Sequence, residues 1–163
     1  MVKKSNCVLC DSWEADWESG RGDLKHWRCP VCGHFTITFE CQVNVSRSDE
    51  ELKPFLSAAT RQAYEQHTPL TLTTANYESH AESHRWTSVS TKACKILEFI
   101  RSRTSFVGQE IPLTPPRDYP LFDAISPEEC SALLAHLRNR QFLTRRERDQ
   151  ECYFLTMEGW DHL

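Results

Sequence analysis

The pairs Cys7-Val-Leu-Cys10 and Cys29-Pro-Val-Cys32 decide how the N-terminal part of this chain folds. Residues 11–28 separate the two pairs, a spacing typical of four-cysteine zinc sites. Four thiolates at the tips of two turns can surround one Zn²⁺ tetrahedrally and leave no coordination position open. The spacing therefore predicts one structural Zn²⁺ bound by Cys7, Cys10, Cys29 and Cys32.

Other chemistry for the same cysteines stays open at the level of sequence. Iron could take the four thiolates in a rubredoxin-like site, and the pairs could also be a redox dithiol or independent reduced thiols. His26, His34 and Cys41 lie nearby and could replace one ligand, although packing or capping also explains them. Gly33 suits the positive φ that such a turn needs, and Asp11 tolerates it less well.

The composition is that of a folded protein with a slight acidic excess. Of 163 residues, 39% are apolar and 26% are charged, and the formal net charge is −4. This charge excludes a wholly basic protein that coats nucleic acid, but it allows a local basic patch. No apolar run is long enough to span a membrane and the N-terminal residues do not form a signal peptide, so we expect a cytoplasmic protein. In that reducing compartment the four scattered cysteines are predicted to be small buried hydrophobes: Cys41, Cys94, Cys130 and Cys152.

The chain is predicted to be an α+β protein organised in three blocks. Residues 1–45 form a small zinc-ribbon-like domain, in which residues 34–43 alternate like a strand and pair with residues 25–28. Residues 46–87 form a helical connecting segment, and residues 88–163 form a winged-helix-like domain. The connecting segment is expected to hold helices near 54–66 and 75–84 around a short strand at 70–73.

The third block follows the order of a winged helix. The predicted elements are a helix from Ser90 to Arg103, an extended segment at 106–113, a helical turn at 119–125, a helix after Ser126, and strands at 142–145 and 152–156. Ser126 is expected to cap its helix, with Glu129 completing a capping box. A last helix capped by Thr156 has only about two turns before Leu163, so we expect the native chain to continue beyond that residue.

A group of arginines gives this acidic chain its local basic patch. They lie at the end of the 127–140 helix and in the hairpin: Arg138, Arg140, Arg145, Arg146 and Arg148. These side chains could contact a nucleic-acid backbone, as the hairpin of a winged helix can. They could instead pair with Glu147, Asp149 and Glu151, which would leave a hairpin that contacts protein or only solvent. Charge alone favours neither partner, nucleic acid or protein.

The segment His80-Ala-Glu-Ser-His84 supports an alternative from a different functional class. His80 and His84 share one helix face and could hold a second metal in a metal-dependent enzyme. The segment lacks the Glu that follows the first His in metalloproteases, and the downstream Pro-Cys-x-x-Cys of zinc deaminases is missing. A solvated polar helix also explains it.

Several segments together resemble a known bacterial module. The segments are Cys7-Val-Leu-Cys10, the residues 29–38, the helix Phe55–Tyr64 and the stretch from Leu121 to Leu163. They are similar to the zinc-ribbon and winged-helix N-terminal regions that precede effector domains in bacterial anti-phage defence proteins, including TIR-like ones. The resemblance implies a recognition or regulatory role, with any catalytic domain outside this chain and no catalytic residue within it. We therefore expect a non-catalytic zinc-binding module that recognises a nucleic acid or a protein.

Overall fold

The computed structural model describes residues 2–147 and 151–163, and the chain divides into two compact units, Met1–Trp86 and Thr87–Leu163. Each unit combines a sheet with helices, which confirms the predicted α+β class. The segment 46–86 belongs to the first unit together with the cysteine pairs. Its helix α2, Lys53–Glu65, packs directly against the N-terminal sheet.

The first unit is built on a five-stranded sheet with the spatial order β1-β2-β3-β4-β5. Its strands are β1 Lys3–Lys4, β2 Asp16–Ser19, β3 Leu24–Cys29, β4 Gly33–Thr38 and β5 Thr71–Leu72. Neighbouring strands are antiparallel except β4 and β5, which are parallel. Strand β3 pairs with β4 as predicted, with Trp27 opposite Phe35. Both edge strands of the sheet are only two residues long.

The helices of this unit only partly follow the sequence prediction, because the helix expected near 54–66 begins one residue earlier, the helix expected near 75–84 begins two residues later, and a further helix lies where a strand was expected. They are α1 Phe39–Arg47, α2, α3 Tyr77–Arg85 and a short 3-10 helix Glu50–Leu52. The predicted strand 34–43 is wrong beyond Thr38, because the Thr38 side chain accepts a hydrogen bond from the Cys41 backbone N–H and starts α1. Cys41 and Val45, four residues apart, are then buried on one helix face.

The second unit follows the predicted order of a helix, a short strand, a helical turn, a longer helix and a two-stranded hairpin. Its elements are α4 Val89–Arg103, β6 Ile111–Pro112, α5 Pro115–Asp118, a 3-10 helix Tyr119–Phe122, α6 Pro127–Asn139, β7 Leu143–Glu147, β8 Glu151–Leu155 and α7 Met157–Asp161. Strands β7 and β8 form an antiparallel hairpin, and β6 pairs with β8 on the other side. The core is apolar, and Ile96, Leu134 and Leu155 are at most 2% exposed.

Four local details of this unit differ from the sequence prediction. Ser88, not Ser90, caps α4, since the Ser88 hydroxyl accepts the Thr91 N–H. Ser126 caps α6 as predicted, but the Glu129 carboxylate accepts the N–H of Ile125, so the expected capping box is not formed. The extended segment 106–113 is a strand only at Ile111–Pro112, and the helical turn begins earlier, at Pro115.

The search for membrane-spanning segments among the described residues found no helix with the length and apolar character that crossing a bilayer requires.

Candidate metal centre

The four cysteines of the two pairs converge at one point in the first unit. Their Sγ atoms all lie within 4.8 Å of one another. The Sγ atoms of Cys7 and Cys32 are 3.7 Å apart, and those of Cys10 and Cys29 are 3.5 Å apart. A tetrahedral zinc ion with Zn–S bonds of about 2.3 Å places neighbouring sulfurs about 3.8 Å apart. The cluster therefore has the chemistry and approximate size that such an ion requires.

Two similar backbone turns bring the sulfurs together. Within them, the Leu9 N–H points at Cys7 Sγ (3.5 Å) and the Cys32 N–H points at Cys29 Sγ (3.4 Å). The residue after each pair has a left-handed conformation, with φ of 56° at Asp11 and 76° at Gly33. The backbone N–H groups directed at sulfur would disperse negative charge from bound thiolates.

The cluster is largely shielded from water. Cys7, Cys29 and Cys32 are buried, and Cys10 is half-buried. Hydrogen bonding from the Cys10 thiol lowers the pKa of Cys29, whereas burial raises the pKa of Cys32. These opposite shifts arise because thiols in contact cannot all lose their protons without a cation between them. A divalent cation would let all four become thiolates.

Helix α2 packs against the turn that carries Cys29 and Cys32. The hydroxyl of Ser57, which is fully buried, lies 3.1 Å from Cys32 Sγ. The Arg61 guanidinium donates to the backbone carbonyls of Pro30 and Val31, each at 2.9 Å. Sequence reasoning missed this support, because Ser57 and Arg61 lie far along the chain from the turn that they contact.

Tyr64, which also lies on α2, packs against the same turn at Gly33. A Cβ atom added at Gly33 would lie 2.6 Å from the Cβ and the Cγ of Tyr64. Helix α2 can therefore approach the turn this closely only when position 33 has no side chain. The ring of Tyr64 also contacts the ring of His34, with centroids 4.7 Å apart.

The alternative ligands considered from the sequence have other contacts. His26 hydrogen-bonds to the Thr36 hydroxyl at 2.9 Å, and His34 packs on Tyr64. Cys41 is buried in α1, and its burial raises its pKa to about 11. None of the three belongs to the cluster.

The other scattered cysteines divide into two groups. Cys130 is fully buried, as predicted, whereas Cys94 and Cys152 are only half-buried.

His80 and His84 lie on α3, as the sequence indicates. Within the described ranges, the cysteine cluster is the one place where three or more ligand atoms from His, Cys, Asp or Glu come together. Among the described residues, no third ligand of these types therefore joins this histidine pair.

The predicted arginines occupy different environments in the second unit. Arg138 and Arg140 are exposed at the end of α6. Arg145 forms an ion pair with Glu151 (2.6 Å), and Arg146 forms one with Glu110 (2.7 Å). The pairing of Arg145 with Glu151 was one of the predicted alternatives, whereas Glu110 was not considered as a partner.

Two parts of that prediction fall outside the structural description. Arg148 and Asp149 lie outside the described residues, and the side chain of Glu147 is not described.

Comparison of the chain with protein-family models, with curated proteins and with solved structures found no significant match.

Proposed function

We propose that Cys7, Cys10, Cys29 and Cys32 bind one structural Zn²⁺ that holds the first unit in its fold. The observation that carries this proposal is the convergence of the four sulfurs at distances close to those of a tetrahedral zinc site. Each turn has its own backbone restraint, from the Asp11 N–H to the Cys7 carbonyl in the first and from the β3–β4 pairing of Cys29 with Gly33 in the second, and a bound ion would join the two turns. Zinc binding would therefore supply folding free energy directly.

The chain as a whole is proposed to be a non-catalytic recognition module. A zinc ion with four thiolate ligands has no open position for water or substrate, so its role is structural. Helix α6 and the β7–β8 hairpin of the second unit support this proposal, because a winged helix uses a helix and a hairpin in these positions for recognition. The resemblance noted above adds the proposal that this module forms part of a larger bacterial defence protein.

The partner is proposed to be a protein rather than a nucleic acid. The supporting observation is that Arg145 and Arg146 already form ion pairs with carboxylates. A nucleic-acid phosphate would have to displace Glu151 and Glu110 to reach them. A protein partner can instead use the exposed surface of the hairpin without breaking these pairs.

Metal content tests the first part of the proposal. The full chain, purified without added metal, should contain one zinc per chain, and the double variant Cys29→Ser/Cys32→Ser should contain none and lose the structure of its first unit. Cys130→Ser is the matched control and should keep its zinc, because Cys130 lies in the second unit. Zinc-free protein with a folded first unit would disprove the proposal, and two zinc ions per chain would favour the alternative enzyme with a site near His80 and His84.

A salt-dependent titration tests the choice of partner. Each phosphate contact contributes a slope of about −0.9 to log K against log salt. Arg138 and Arg140 have no ion pair within the described part of the chain, and they alone would give a slope of about −2. Absence of binding to duplex DNA, single-stranded DNA and RNA at low salt is the expected result. Tight binding with a slope of −3 or steeper would contradict the proposal of a protein partner.

A further inference from the structure

A small cavity in the second unit collects basic and apolar side chains. It has a volume of about 180 Å³ and lies between the N-terminal part of α4, the C-terminal end of α6 and the last residues of the chain. It opens at the surface, and its polar lining residues are half-buried Cys94 and four exposed residues, Ser90, His136, Arg140 and His162.

The floor of the cavity is apolar and carries an ordered arrangement of rings. Leu97, Leu137 and Phe142 line it. The ring of His162 stacks on Phe142, with centroids 4.4 Å apart and an interplanar angle of 16°. The Arg140 guanidinium carbon lies 5.7 Å from the centre of the same ring. The imidazole of His162 and the guanidinium of Arg140 therefore both contact the ring of Phe142.

Arg140 gives the cavity a positive charge. No acidic residue lines it, and within the described ranges His136, Arg140 and His162 have no carboxylate within ion-pair distance.

The carbonyl groups at the end of α6 do little to offset this positive character. The carbonyl oxygen of Leu137 accepts the Phe142 N–H, and that of His136 accepts the Arg140 N–H. Because these oxygens already have backbone donors, they present less negative potential to the cavity.

From these observations we infer that the cavity binds a small organic phosphate monoester. The phosphate would be held by Arg140, His136 and His162, since a guanidinium matches two phosphate oxygens in a fixed fork geometry. The organic group, about as large as one aromatic ring, would rest on Ala93, Leu97 and Leu137, because the Phe142 ring is already stacked with His162. The second unit would thus respond to a small molecule as well as to a macromolecular partner.

The test uses phenyl phosphate as the probe and the Cys94 thiol as the reporter. Cys94 lines the cavity and is half-buried, whereas Cys152 is half-buried on β8 and lies outside the lining. In the zinc-loaded full chain, alkylation by iodoacetamide is followed at each cysteine by mass spectrometry. Phenyl phosphate should slow alkylation of Cys94 in a saturable way and leave that of Cys152 unchanged.

Two variants with the same change of charge assign the phosphate contact. Arg140→Gln should weaken protection of Cys94 by at least about tenfold, as expected for the loss of a hydrogen bond between charged groups. Arg101→Gln removes a charge from an exposed position on α4 outside the cavity and should leave protection unchanged. Inorganic phosphate and phenol, which each lack one half of the probe, should protect less well than phenyl phosphate.

Three results would overturn the inference. They are no protection of Cys94 in the wild-type chain, equal protection of Cys94 and Cys152, and equal protection in wild type and Arg140→Gln. The first and second results come from the wild-type chain and do not depend on the folding of a variant. The cavity and the proposed zinc site lie in different units, so failure of one proposal is distinguishable from failure of the other.

Discussion

Replacing Gly33 by alanine should be among the most damaging small changes in the first unit. Gly33 follows the second cysteine pair at φ of 76°, a conformation that costs an L-residue about 1–2 kcal/mol. The new Cβ would also lie 2.6 Å from Tyr64 Cβ and Cγ, so helix α2 would have to move. Overpacking of this kind costs about 1–3 kcal/mol. The expected loss in the free energy of unfolding is therefore about 2–5 kcal/mol.

Gly22→Ala supplies the matched control for the conformational part of this loss. Gly22 has φ of 70°, but no atom lies within 4 Å of the position where its Cβ would be. Its replacement should cost only the conformational strain, about 1–2 kcal/mol. The difference between the two variants therefore isolates the contact between Gly33 and α2.

The measurement is urea unfolding of the zinc-loaded full chain at fixed zinc concentration, followed by tryptophan fluorescence. Four of the five tryptophans lie in the first unit, so the signal reports mainly on that unit. Gly33→Ala should also lose zinc to a chelator sooner, because the turn that it disturbs holds Cys29 and Cys32. If Gly33→Ala costs no more than Gly22→Ala, the close approach of α2 does not limit this position and the reasoning fails.

Three further predictions concern contacts in both units. Ser57→Ala should lower zinc affinity by about tenfold or more, measured by chelator competition, because it removes a hydrogen bond to a ligand sulfur. Asp123→Ala should cost roughly 3 kcal/mol in urea unfolding, since the Asp123 carboxylate is fully buried and pairs with Lys95 at 2.6 Å; a cost below 1 kcal/mol would contradict this estimate. Burial raises the pKa of Cys130 to about 12, so alkylation near pH 8 should reach half-buried Cys152 well before Cys130. The same shift makes the contribution of Cys130 to stability complete below about pH 9, and this contribution should fall as the pH rises from there towards 12.

The parts of the fold that the sequence predicted are those with a strong local signal. The cysteine spacing identified the cluster, and the pattern Ser126-Pro127 correctly placed the start of α6. The strand prediction failed beyond Thr38 because two-residue alternation continues by chance through Phe39 and Cys41. There the Thr38 side chain caps a helix instead, and Cys41 and Val45 are buried on one face of that helix.

The parts that the sequence missed depend on contacts between distant residues. Ser57 and Arg61 support the second cysteine turn from α2, and nothing in their local sequence indicates this role. The pairing of Arg146 with Glu110 is of the same kind, because Glu110 lies before β6 and reaches the hairpin only in the folded sheet. The sequence shows which residues are charged, but the tertiary fold determines which of these residues form ion pairs with one another.

The short edges of the N-terminal sheet bear on how the protein resists aggregation. Strand edges present unpaired backbone groups on which another chain can assemble, and short or charged edge strands reduce that risk. Here one edge is the two-residue strand Lys3–Lys4, and at the other edge Thr71–Leu72 covers part of β4. Strand β4, Gly33–Thr38, contains neither proline nor a carboxylate, and its Phe35 and Ile37 would promote intermolecular strand pairing once exposed. If the proposed zinc ion is removed, we expect the first unit to unfold and β4 to become exposed. Zinc-depleted protein should then form insoluble β-rich assemblies rather than remain a dispersed unfolded chain.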